Sequence, residues 1–133
     1  YYITCTDVIK NPDGTIKEIH CTYDPQTKSG SGFEGRKVKG TIHFVDAASA
    51  VPLTIRQYDY LFIEDEDGKP VKNPDSVKVS TAYAEASVNE ARAGERFQFF
   101  RHGYYVADIK DHKPGEAVFN EIVGLKSSWK GSR

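Results

Sequence analysis

At 133 residues, with 38% hydrophobic and 28% charged side chains, the chain is globular and can bury a core without a disulfide framework or a metal. A net charge of -1 and a pI near 6.5 exclude a general attraction to polyanions, so any nucleic-acid surface has to be a local cluster of Lys and Arg. There is no apolar run long enough to span a bilayer, and nothing reads as a signal peptide or lipidation motif, so no membrane partner is expected.

The chain opens on Tyr1-Tyr2-Ile3-Thr4 and contains no Met, which reads as a segment of a longer protein beginning at or inside a strand. Ile3 to Lys10 and Thr15 to Tyr23 flank Asn11-Pro12-Asp13-Gly14. Pro presets φ, Asp tolerates the next position and Gly supplies a positive φ, so this is a β-hairpin turn with a Gly bulge. A Pro12-Asp13-Gly14 loop sets Asn11 against Thr15 and brings Cys5 opposite Cys21. A disulfide there makes strict geometric demands, and two cysteines in an intracellular chain are more often free thiols.

Asp24 to Gly35 is a polar loop. Gly35 to Val45 then runs from a basic turn, with Arg36, Lys37 and Lys39, into an expected strand; the three cations are candidate RNA backbone contacts. Asp46 to Ala50 reads as one helical turn or a linker. Leu53 and Ile55 alternate with polar residues, which predicts a half-buried strand. Glu64 to Pro70 is an acidic hairpin tip without the spacing of a calcium loop. Val77 to Thr81 is a further strand. Ser87, with Glu90 three residues on, has the spacing of a capping box and predicts a short helix to Ala93, ended by Gly94. Strands are expected over Phe97 to Arg101, Tyr104 to Ile109 and Ala117 to Lys126. Many short strands between regular turn signals predict an all-β barrel or sandwich with short helical turns.

Phe97-Gln98-Phe99-Phe100-Arg101-His102-Gly103-Tyr104-Tyr105 carries the chemistry of most interest. It reads as two strands joined at His102-Gly103. Strict alternation puts Phe97, Phe99 and Arg101 on one face and Gln98 and Phe100 on the other. A local twist or bulge next to Gly103 would bring Gln98 and Arg101 together. A planar amide, a guanidinium and aromatic walls are the parts that hold and read one unstacked nucleobase. The plainer reading is an ordinary hairpin with Phe inward and Gln and Arg in water. No phosphate-binding Gly loop, nucleophile elbow or zinc-binding His pair is present, so catalysis is not expected within these residues.

Five segments in register resemble the C-terminal anticodon-binding region of the glutaminyl-tRNA synthetases, class I enzymes of the Glu/Gln subfamily. They are Cys21 to Asp24, Gly35 to His43, Val51 to Asp59, Phe97 to Tyr104 and Val118 to Lys126. The resemblance implies a fragment of a two-barrel region built from L25-like six-stranded β-barrels. Residues 1–45 would finish the first barrel, 46–129 would form the second, and 130–133 would be a tail. It implies anticodon bases splayed into pockets, with Gln98 and Arg101 at the middle uracil. It also implies a tRNA(Gln) partner, an upstream catalytic domain of the same chain that uses ATP and Mg, and a cytoplasmic setting. No cofactor is expected on the fragment itself. Lys126 stands where the family often has Arg, which favours a backbone contact over base reading. Glu121 stands where Arg is frequent, and Phe44 replaces a common Trp.

The archaeal or eukaryotic type of glutamyl-tRNA synthetase shares the fold, though Phe-Gln-Phe and Val-Phe-Asn favour the glutamine enzyme. A non-enzymatic β-barrel interaction domain is the alternative of a different class. Strand edges left unpaired in a fragment are expected to recruit a second copy, by dimerisation or strand exchange.

Overall fold

The structure, a computed structural model, describes residues 1–35, 38 and 40–125. It is all-β: nine strands and two single-turn 3₁₀ helices among the described residues. None of its helices is long and apolar enough to cross a membrane. The chain divides into two compact units, Tyr1–Thr41 and Ile42 onward.

The first unit is a hairpin of β1 (Tyr2–Lys10) and β2 (Ile16–Asp24). Its turn forms as the residues require. Asn11 N–H donates to the Thr15 carbonyl at 2.8 Å, and Gly14 N–H to the Asn11 carbonyl at 2.9 Å. Asp13 Oδ1 accepts the Thr15 N–H at 2.9 Å and the Thr15 hydroxyl at 2.6 Å. Gly14 takes φ +84°, where a side chain is disfavoured. Cys5 faces Cys21 as the turn predicted, with register shifts just after Cys5 and after Ile9. A 3₁₀ turn, Pro25–Thr27, follows, its first turn capped by Asp24 Oδ1 accepting the Gln26 N–H. Thr27 is buried; its hydroxyl accepts the Tyr2 N–H at 2.6 Å and donates to the Asp24 carbonyl at 2.7 Å.

The second unit holds the core. Asp46 to Ala50 makes one turn, closed by Ala50 N–H donating to the Asp46 carbonyl at 2.8 Å. β3 (Val51–Tyr58) then pairs antiparallel with β6 (Val77–Ala84) and parallel with β9 (Val118–Gly124). β7 (Arg96–Phe99) and β8 (Gly103–Ala107) complete a five-stranded sheet of order β6-β3-β9-β8-β7, so β6 and β7 are its edges. Leu53 and Ile55 are buried on β3, as their alternation predicted, and Phe119 on β9 is fully buried. Phe97 and Phe99 pack their rings on Phe119 with centroids 5.7 and 5.1 Å away, and Phe99 stacks on Tyr105 at 4.6 Å. The acidic tip is a hairpin of β4 (Phe62–Glu64) and β5 (Pro70–Lys72), where Asp65 Oδ1 accepts the N–H groups of Asp67 and Lys69.

Several expectations are corrected. Thr41 to Val45 is irregular chain, not a strand: no strand among the described residues pairs with it, and Ile42 and Phe44 stay exposed. β propensity without a ladder does not make a strand. The helix expected over 87–93 is a 3₁₀ turn, Ala86–Glu90. Its cap position is Glu85, not Ser87, and it has no side-chain cap. Gly94, at φ +84°, instead donates its N–H to Ala107 at the start of β7. The first strand of the aromatic stretch stops at Phe99, the second at Ala107, and β9 at Gly124.

The connection from β8 to β9 is held by one carboxylate. Asp108 Oδ1 accepts the N–H groups of Lys110 and Asp111, both at 2.8 Å. Its Oδ2 accepts from Asn120 Nδ2 at 2.7 Å and lies 3.5 Å from Arg56 Nη1, while Arg56 Nη2 meets Asp111 at 2.7 Å. The Asn120 bond, the two backbone N–H groups and the Arg56 charge hold the Asp108 carboxyl at about 2. Buried His112 ties the same loop inward: Nε2 contacts the Ala91 carbonyl at 3.0 Å and Nδ1 accepts the Val118 N–H at 3.3 Å.

Candidate nucleic-acid interface

β7 and β8 pair as Arg96↔Val106, Phe97↔Tyr105, Gln98↔Tyr104 and Phe99↔Gly103. Phe97 and Phe99 are half-buried against the core, and Gln98 between them is exposed, as the pleat requires. Gln98 makes no side-chain hydrogen bond to another of the described residues, so its amide is available to a ligand. The turn comprises Phe100, Arg101 and His102, and is closed by His102 N–H donating to the Phe99 carbonyl at 2.8 Å.

Alternation therefore ends before Arg101. Arg101 sits in the turn with φ +67°, the only positive φ outside glycine among the described residues. That conformation costs about 1–2 kcal/mol for a side-chain-bearing residue. The guanidinium carbon lies 5.7 Å from the Phe100 ring centroid, within cation–π range. Gln98 and Arg101 share this strand-to-turn corner without bonding to each other. The bulge expected to draw Gln98 and Arg101 together is not in the β7–β8 ladder, which is regular; a register shift occurs in the β8–β9 ladder instead, between Tyr104 and Tyr105. Gly103 belongs to β8, not to the turn. A Cβ there would lie 2.6 Å from the Val123 carbonyl oxygen, so only glycine admits the close approach of β9.

Beside this corner opens a cleft of about 500 Å³. Leu53, Ile55, Phe97 and Phe99 supply apolar wall; Gln98, Phe100, His102 and His43 also line it. The His43 ring meets the Phe100 ring with centroids 5.9 Å apart and planes at 56°, and Phe100 remains 58% exposed. The exposed Phe100 ring and the unengaged Gln98 amide line the cleft, and the Arg101 guanidinium lies against Phe100, so the corner can offer a flat ligand both a stacking surface and edge donors. His43 and Phe100 were missed as site residues from sequence. Phe100 was assigned to a strand face, and His43 reaches it only through the tertiary fold.

Further along β9, Glu121 is engaged inside the protein: it accepts a hydrogen bond from Gln57 Nε2 and faces Tyr105 across the β8–β9 ladder. Burial raises the Tyr105 phenol, and the Glu121 charge adds to that. Arg36, Lys37, Lys39 and Lys126, the candidate backbone contacts, lie outside the described residues.

Residues 41–108 match the family model described as tRNA synthetases class I (E and Q), anti-codon binding domain. The chain is 50% identical over 137 residues to a glutamine–tRNA ligase of Nitrosomonas europaea, covering 98% of this chain and 25% of that protein. It is 51% identical over 136 residues to that of Cupriavidus necator, covering 97% and 23%. With the Clostridium kluyveri ligase it is 44% identical over 137 residues, covering 98% and 25%. The chain thus spans about a quarter of the length of these curated relatives. On the match to more than half of its residues, the chain belongs to the anticodon-binding domain family of the class I tRNA synthetases for Glu and Gln.

Proposed function

We propose that the chain is the anticodon-reading part of a glutamine–tRNA ligase, and that Gln98 and Arg101 read the middle anticodon uracil of tRNA(Gln). The observation that carries this is an unengaged Gln98 on an aromatic-lined cleft, followed by a left-handed Arg101 whose guanidinium lies over the cleft-lining Phe100. Uracil presents two carbonyl oxygens and one N–H. The Gln98 amide can accept the N–H and donate to one carbonyl, and Arg101 can donate to the other. Cytosine places an amine where uracil has O4, so a donor would face a donor. A buried polar group left unpaired costs about 1–3 kcal/mol, enough for tenfold discrimination. Phe100 would stack on the base face, a contact blind to base identity.

In this reading residues 1–45 contribute to one L25-like six-stranded barrel, 46–129 form most of a second, and 130–133 are a tail. Arg36, Lys37, Lys39 and Lys126 would contact the RNA backbone. Glutamine activation, with ATP and Mg, belongs to a catalytic domain of the same polypeptide working in the cytoplasm. Sheet edges β6 and β7 would make self-pairing of the isolated chain measurable as a dimer. A glutamyl-tRNA synthetase remains the second reading on the shared fold, but the relatives reported above are named as glutamine ligases.

The test is binding of a glutamine-tRNA anticodon stem-loop, against one with cytosine at the middle position, at fixed physiological salt. Wild type should prefer uracil at least about tenfold, and Gln98→Ala should abolish the preference. Equal binding of both loops by wild type and variant would sink the assignment.

A further inference from the structure

We propose that Cys5 and Cys21 form a two-thiol modification site, which a small-molecule disulfide oxidises reversibly to an internal disulfide. The two residues are direct cross-strand partners in the β1–β2 ladder. Partners in an antiparallel ladder project to one face, with Cα atoms about 4.5–5.5 Å apart. That spacing lies inside the range of about 4.4–6.8 Å that a disulfide spans. Both cysteines are free and exposed, so an oxidant has access to both sulfurs. The register that opposes them is set from within the hairpin, by the Asn11–Gly14 turn and its Asp13–Thr15 hydrogen bonds. Their meeting therefore needs no other part of the fold. The register shift immediately after Cys5 adds local twist, which helps cross-strand sulfurs reach a gauche disulfide. One contact is given up: the Cys5 thiol donates to the Asp7 carbonyl at 3.6 Å, and closure turns the sulfur toward Cys21.

With glutathione disulfide as oxidant the steps balance. One cysteine thiolate attacks a glutathione sulfur, breaks the S–S bond, and leaves a protein–glutathione mixed disulfide and one glutathione thiolate. The second cysteine thiolate attacks the protein sulfur of that mixed disulfide, forms the Cys5–Cys21 bond and expels the second glutathione. Two electrons pass from the cysteines to glutathione disulfide, and the two thiol protons end on two glutathiones. Excess thiol reverses the sequence, in keeping with the transient disulfides found in reducing compartments.

The consequence is local. β2 is exposed along its whole length, so the hairpin is held by its ladder and turn more than by burial. A covalent bridge removes its open states. The test uses this chain, glutathione disulfide and intact-mass analysis after acid quenching. The expected product is a monomer lighter by two hydrogens, with no retained glutathione. Cleavage between Lys10 and Lys17 should leave the two pieces linked until reduced. Cys5→Ser and Cys21→Ser should each instead retain one glutathione. Amides of β1 and β2 should exchange at least about tenfold more slowly in the oxidised form. Two stable glutathione adducts, disulfide-linked dimers, or thiols that resist oxidation would each overturn the proposal.

Discussion

Two of the hairpin turns solve the same geometric problem in opposite ways. At Asn11–Gly14 each residue suits its place: proline where φ is near -65°, an aspartate that bonds forward to Thr15, and glycine at φ +84°. At Phe100–His102 the left-handed position is filled by arginine at φ +67°, with no glycine and no side chain bonding the turn's own backbone among the described residues. The first turn is built for stability. The second keeps a residue that stability disfavours, and this is the pattern expected where the side chain serves a ligand.

The largest test lies just past the second turn. Gly103→Ala places a methyl against the Val123 carbonyl and should destabilise the sheet by about 3 kcal/mol in urea denaturation. A neutral result would mean that β9 can retreat, and the corner would be looser than described. Next, Arg101→Gly should stabilise the fold by about 1 kcal/mol while lowering uracil preference in stem-loop binding. A loss of stability instead would show that the arginine is held for packing on Phe100, and the contrast between the turns would collapse. The smallest effect is acid sensitivity. Hydrogen bonds from Thr15 lower the Asp13 pKa, so its contribution is complete above the unfolded value near 4 and is lost as pH falls through the lower folded value. The Phe100–His102 turn has no such carboxylate. The β8–β9 loop, with Asp108 held at about 2, should persist to lower pH than the first hairpin. Amide shifts followed from pH 5 to pH 2 should report Thr15 before Lys110 and Asp111; the reverse order would refute it.

How far the sequence can be read follows the same divide. The first hairpin, including the opposition of Cys5 and Cys21, was legible because turn chemistry fixes register within a few residues. β3 and the inward Phe97 and Phe99 were legible from alternation, and the acidic tip from its turn composition. Thr41 to Val45 was misread because its β-formers lack a partner edge, something no local pattern reveals. The 3₁₀ turn over Ala86–Glu90 was misread because a capping-box spacing marks a helix only when the chain enters it in the right place. Alternation placed Gln98 and Arg101 on opposite strand faces, and a period of two could not foresee that the strand ends at Phe99 and leaves Arg101 in a left-handed turn. The Arg56–Asp108–Asp111 cluster and the His43–Phe100 pair join residues far apart in the chain, and only the folded sheet brings them together.

The sheet order carries a consequence for how the protein is made. β9 is the last strand in the described sequence, yet it sits at the centre of the sheet, with β3 on one side and β8 on the other. Until β9 has left the ribosome, β3–β6 and β7–β8 are two separate ribbons, and an isolated two-stranded ribbon is marginal in water. Phe97 and Phe99, which line the cleft, lack the ring they both pack on until Phe119 arrives. Assembly is therefore late, governed by contacts of long sequence separation, and close to all-or-none. A nascent chain stalled before Val118 would hold the β3–β6 and β7–β8 ribbons apart, with no strand to join them.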